Sequence, residues 1–220
     1  MHILFNPENK FWNFMGKITD VFCMSFLWLL TSLPVFTIGA STAAFYSFTL
    51  DAVGDNEGRV IGSYFTAFRA NFKKATLLWL LQLTLGVLLA VNLYAAWIFY
   101  LAKGVIALGF LSLSVCAALV AVCCSVYIYP ILAAYDFPVK KILTDSFIMA
   151  TGNLHVTISM LVLFFLAAVG IYYLGGLFFL WIGLAIFFSS YFIWGLFLKY
   201  AGVKIEEKGK KKNPPKDLYL

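Results

Sequence analysis

The sequence predicts an all-α, polytopic transmembrane helical bundle. Three observations predict it. The 220 residues are 63% hydrophobic and only 12% charged, with a mean hydropathy of +0.91, whereas soluble domains carry roughly a quarter charged residues. Uncharged runs cover Val21–Leu50, Ala75–Ala102, Gly104–Tyr135 and Ser146–Leu198, and a helical crossing needs about 20 apolar residues. Basic residues gather between and after these runs, which is the charge pattern of membrane topology rather than of nucleic-acid binding. A cleaved signal peptide is a poor account of the N-terminal run, because apolar segments recur as far as Leu198.

Residues 1–20 form a polar-aromatic approach in which Phe11, Trp12, Phe14 and Met15 alternate with Lys10, Lys17 and Asp20; such rings anchor at headgroup level. The stretch Thr31–Ala44, TSLPVFTIGASTAA, then interrupts the first uncharged run at Pro34, which removes a backbone donor and crowds the preceding turn. If the chain reverses there, Phe14–Leu33 and Val35–Asp51 are separate crossings and the total is six, with both termini inside. If it continues as a kinked helix, the total is five and the N-terminus lies outside. Six is favoured, since a single helix over Val21–Leu50 would measure about 45 Å against a hydrocarbon layer of roughly 30 Å. The pairs Gly39/Ala43 and Ala40/Ala44 each share a helix face, and small residues of this kind let membrane helices approach closely.

The polar segment Asp51–Lys74 opens with a turn-like DNEG. Beyond it Phe65, Phe68 and Phe72 form a one-sided stripe beside Arg69, Lys73 and Lys74. This predicts a short interfacial helix with rings at the headgroup boundary and cations near lipid phosphates; a partner-docking surface is the alternative. Ala75–Ala102 is the next crossing, with Gln82 and Asn92 expected to face other helices. Gly104–Tyr135 follows, carrying Pro130 near its end and Tyr127, Tyr129 and Tyr135 as an expected interfacial belt. Lys140–Thr151 is predicted as a second cytoplasmic amphipathic helix, with Lys141 and Asp145 at i, i+4. The last run holds two crossings, Val156–Tyr172 and Leu177–Leu198, joined near Tyr173–Gly176. The single transmembrane domain thus occupies residues 1–200, and residues 201–220 form a basic tail expected to be disordered.

Seven lysines from Lys199 onward place the C-terminus in the cytoplasm by the positive-inside rule. In the six-crossing reading only Lys103 of the sixteen basic residues then faces outward.

The sequence offers little chemistry. Cys23, Cys116, Cys123 and Cys124 lie inside apolar runs without ligand-spaced companions and read as packing residues. No nucleotide-binding glycine motif is present, and His2 and His155 belong to no metal-ligand cluster. The acidic residues lie in or beside polar loops, which argues against a proton-coupled pump. No catalytic, cofactor or metal site is predicted, and the chain reads as a non-enzyme.

Four segments, SLPVFTIGASTAAFY at Ser32–Tyr46, FRANFKKAT at Phe68–Thr76, YIYPILAAYD at Tyr127–Asp136 and LTDSFIMA at Leu143–Ala150, together resemble the YesL family, also described as DUF624. The resemblance covers approximately residues 5–200 and implies a small bacterial cell-membrane protein without an established activity. It further implies an auxiliary or regulatory role around carbohydrate uptake, with sugar ABC transporter subunits as partners. An independent small-molecule transporter and a structural or assembly protein are the competing functions. Pro34, Thr37, Gly39, Asn71, Phe72 and Pro130 match the family pattern and are the candidate structural or functional positions. Ala40 stands where the family often has proline.

Overall fold

A computed structural model of the chain describes residues 10–54 and 60–205. The expected DNEG turn and the basic tail beyond residue 205 lie outside the described residues, as do the side chains of Lys10, Phe11, Trp12 and Phe14. Seven α-helices account for nearly all the rest: α1 (Lys10–Thr31), α2 (Ile38–Val53), α3 (Val60–Lys103), α4 (Leu108–Ala134), α5 (Val139–Gly152), α6 (Leu154–Tyr173) and α7 (Phe178–Ile205). They form three helical hairpins, α1–α2, α3–α4 and α6–α7, with α5 linking the last two.

The chain does reverse at Pro34. Helix α1 stops at Thr31, a single 3-10 turn covers Val35–Thr37, and α2 returns antiparallel, with the Trp28 indole donating to Thr42 Oγ1 at 3.2 Å. Pro34 is extended, at φ −74° and ψ 116°. Thr37 Oγ1 lies 2.6 Å from the carbonyl oxygens of both Thr31 and Pro34, so its hydroxyl closes the turn that the proline leaves short of a donor. The five-crossing alternative, a continuous kinked helix, is thereby overturned.

The count of six is not reached either. Four described helices are long and apolar enough to cross a membrane: 62–102, 108–134, 154–173 and 178–200. Helix α2 has 16 residues, about 24 Å, and α1 carries Lys17 and Asp20 in its first half. The chain is an all-α, multi-pass membrane protein.

Helix α2 is the element the others surround, packing against α1, α3, α4 and α7. Its small residues make this possible. Gly39, Ala40, Ala43 and Ala44 are all buried, and a Cβ on Gly39 would stand 2.6 Å from the Ala75 carbonyl oxygen and 2.7 Å from Trp79 Cβ. The α2–α3 contact thus requires glycine at position 39. Two other close approaches use the same device: Gly170 lies against the Trp181 ring between α6 and α7, and Gly183 of α7 lies against Ser25 of α1.

Helix α3 differs from expectation. The sequence suggests an interfacial helix followed by a separate crossing, but Val60–Lys103 is one helix of 44 residues. The change from charged to apolar at Ala75 marks a change of surroundings, and no proline or glycine accompanies it to end the helix. The helix ends only at Gly104, whose φ of +60° suits glycine, and α4 returns antiparallel. Phe99 and Phe110 rings meet edge to face at 6.4 Å near that turn, and Gln82 accepts from the Tyr129 hydroxyl at 2.5 Å farther along.

Two smaller expectations are also corrected. Tyr127, Tyr129 and Tyr135 are core residues rather than a belt, at 1%, 9% and 4% exposure. Asn92 is exposed rather than turned toward a neighbouring helix. Helix α7 runs to Ile205, taking in the first five residues of the expected tail.

Candidate functional site

Polar chemistry gathers where α3, α4, α5, α6 and α7 meet. Lys74 stands immediately before the apolar run of α3, and Asp136 immediately after that of α4. The Lys74 ammonium pairs with the Asp136 carboxylate and also donates to the Phe137 carbonyl at 3.3 Å. This contact aligns the ends of two apolar runs at one level. It also holds the link 135–138 beside α3, where Pro138 at φ −67° leads into α5.

Four further side-chain pairs close the same junction. The Tyr127 and Thr157 hydroxyls meet at 2.8 Å; Thr157 has carbonyl acceptors at Ala150 and Asn153, so Tyr127 supplies the proton. Buried Asn153, between α5 and α6, donates its amide to the Tyr200 hydroxyl of α7 at 2.7 Å. The Tyr135 ring stacks on Phe137 and meets Phe197 edge to face, both at 5.2 Å. A cavity of about 130 Å³ opens at this corner, with Ile131, Tyr135, Phe137 and Tyr200 as walls and Lys141 and Asp145 at its edge. Lys141 Nζ lies 3.9 Å from the centre of the Phe137 ring, a cation–π arrangement. Partial burial in α5 raises the Asp145 pKa above its ordinary value, while the Lys141 charge opposes that shift.

On α3 the predicted contact residues form a connected surface. Phe68 and Phe72 are half-buried against the core, their rings 5.5 Å apart, and Tyr64 stacks on Phe68. Phe65 is 40% exposed. Arg69 and Lys73 are exposed one turn apart. Together with Phe68, Ala70, Phe72 and Lys74 they line an open depression of about 430 Å³. The aromatic stripe is therefore largely anchored in the protein, and the cations remain outside it.

The family-pattern positions divide into groups. Pro34, Thr37 and Gly39 form one cluster at the α1–α2 turn, which rests on α3 at Ala75 and Trp79. Half-buried Asn71 and Phe72 lie one turn before that contact. Pro130 belongs to the buried run 127–132 of α4. Sequence reasoning missed the Lys74–Asp136 pair and the buried hydroxyl pairs, because neither partner marks its distant mate in a single sequence. Among the described residues, no group of three or more His, Cys, Asp or Glu side chains is placed to hold a metal.

Comparison with known proteins gives two matches. The family described as "Protein of unknown function, DUF624" matches residues 21–93, which hold the second half of α1, the Pro34 turn, α2 and the first three-quarters of α3. "Uncharacterized protein YesL" of Bacillus subtilis (strain 168) is 24% identical over 161 residues, covering 73% of this chain and 74% of the relative. No solved structure matches.

Proposed function

Because the chain belongs, at low identity, to the DUF624 family of unknown function, we propose that it is a membrane-embedded auxiliary component of bacterial carbohydrate uptake. In this reading it acts through its cytoplasmic end on an ABC-type transporter, and neither moves a solute through its own interior nor performs catalysis. The association with carbohydrate uptake comes from the family resemblance; the mode of action comes from the geometry.

The observation that carries the mode of action is how α2 is enclosed. Ten of its residues are buried, and its inward hydroxyls are paired with those of α7: Tyr46 with Ser189 at 3.0 Å, and Thr49 with Ser190 at 2.7 Å. Groups satisfied in this way offer nothing to a passing solute. The charged side chains of α3, α5 and the 135–138 link gather instead at the Lys74–Asp136 level, where a partner in the cytoplasm or at the headgroups would meet them.

The topology that goes with this reading has α3, α4, α6 and α7 as crossings and α1–α2 as an inserted hairpin that returns to the side it entered. What supports the hairpin is its packing on two sides: Gly39 of α2 lies against Ala75 at the start of the apolar run of α3, and α1 lies against the first turns of α7 through Ser25 with Gly183 and Phe26 with Phe179. The exposed apolar side chains Phe22, Phe26, Leu30, Val35 and Phe36 give the hairpin a surface suited to lipid. Both termini are then cytoplasmic.

Affinity purification of the tagged chain from its native membranes tests the function. Sugar-transporter components should be recovered with it, and repeated recovery without them would overturn the carbohydrate association. Sugar flux into vesicles containing the purified protein alone would overturn the auxiliary role.

A further inference from the structure

We propose that Arg69 and Lys73 of α3 form a binding site for the phosphate group of an anionic phospholipid. Three basic side chains stand together in this part of the helix, and the structure separates their roles. Lys74 is occupied by Asp136 and the Phe137 carbonyl. Arg69 and Lys73 are exposed and have no ion-pair partner among the described residues. They lie one turn apart on the same helix face and both border the open depression between Phe68 and Phe72.

The chemistry fits a phosphodiester. A guanidinium presents two parallel donors that match two phosphate oxygens, and an ammonium one turn away adds a point charge without demanding a second geometry. The Phe68 and Phe72 rings beside them offer apolar surface to the glycerol and upper acyl segment of the same molecule. Depth fits as well. Lys74 and Asp136 mark the level at which the apolar runs of both α3 and α4 end, so Arg69 and Lys73 stand just outside the hydrocarbon, where lipid phosphates lie. An acidic protein segment would satisfy the two charges equally, but the position at the hydrocarbon edge and the flanking rings favour lipid.

The test uses the full chain reconstituted in phosphatidylcholine vesicles with spin-labelled phosphatidylglycerol or spin-labelled phosphatidylcholine as the probe. The fraction of each held immobile at the protein surface is read from its spectrum. The wild-type chain should retain phosphatidylglycerol preferentially, by up to roughly thirtyfold for two juxtamembrane charges. The double variant Arg69→Gln/Lys73→Gln should lose most of that preference. The charge-matched control Lys140→Gln/Lys199→Gln, made at two other exposed lysines, should keep it, and inorganic phosphate should not displace the lipid. Equal loss in the two double variants would show a diffuse charge effect and overturn the site. So would the absence of any preference in the wild-type chain, or displacement by inorganic phosphate, which would make the site one for free phosphate.

Discussion

The Tyr46 hydroxyl is enclosed in the core and meets the Ser189 hydroxyl at 3.0 Å, while Ser189 Oγ lies 2.8 Å from the Ile186 carbonyl oxygen. The relationship is directional. Ser189 gives its proton to Ile186, so Tyr46 must donate to Ser189, and the two partners are not equivalent under mutation. Ser189→Ala leaves a buried phenol without an acceptor, costing about 1–3 kcal/mol. Tyr46→Phe leaves Ser189 still bonded to Ile186, so it should cost only about 0.6 kcal/mol, a typical value for a hydrogen bond between membrane helices. Unfolding of both variants in detergent checks the order. A larger loss in Tyr46→Phe would reverse the assignment of donor and acceptor.

Gly39 and Gly86 both lie within helices, but they should respond oppositely to alanine. A Cβ at position 39 meets the Ala75 carbonyl oxygen and Trp79 Cβ at 2.6 and 2.7 Å, whereas nothing lies within 4 Å of a Cβ at position 86. Backbone cannot move aside as a flexible side chain does, so Gly39→Ala should destabilise by about 1–3 kcal/mol. Gly86→Ala should be neutral or stabilising by up to about 1 kcal/mol, because alanine is the better helix former. Melting temperatures of the two variants in the same detergent measure the contrast, and equal behaviour would mean that α2 does not rest on α3 at this point.

Asp145 makes stability depend on pH in a direction opposite to the usual surface carboxylate. Burial raises its pKa above the ordinary 3.8, so the folded chain holds this proton more tightly than the unfolded one. Stability from this group is full below the ordinary value and is lost as pH rises through the raised one. Asp145→Asn removes the dependence. Thermal unfolding of the two chains at about pH 4 and about pH 7 should show the variant gaining relative to wild type at the higher pH. A relative gain at the lower pH would contradict the sign.

These expectations rest on features that differ in how far the sequence discloses them. Helices α5 and α6 are readable because proline or glycine stands at both of their outer boundaries and the charge pattern changes between them. The break at Pro34 is readable for the same reason. The unbroken course of α3 is not: the charges at Arg69–Lys74 report where the surroundings change, and a helix passes through such a boundary when no residue stops it. Nor is the burial of Tyr127, Tyr129 and Tyr135, since a tyrosine suits an interface and a core with a hydroxyl partner equally well, and those partners lie 30 or more residues away for the first two. At the candidate site, the cations Arg69, Lys73 and Lys74 are visible as a group, but the role of Lys74 is set by Asp136, which only folding brings near.

The reversal of the chain at Pro34 is the step on which the topology depends, and labelling of single cysteines tests it most directly. With Cys23, Cys116, Cys123 and Cys124 replaced by alanine, a cysteine introduced at position 2 can be probed in intact cells with a membrane-impermeant reagent. Because α1 and α2 form a hairpin that returns to its starting side, position 2 should resist the reagent in intact cells and react once the membrane is opened. Labelling of position 2 from outside the intact cell would contradict the hairpin and place the N-terminus opposite the Lys74–Asp136 end.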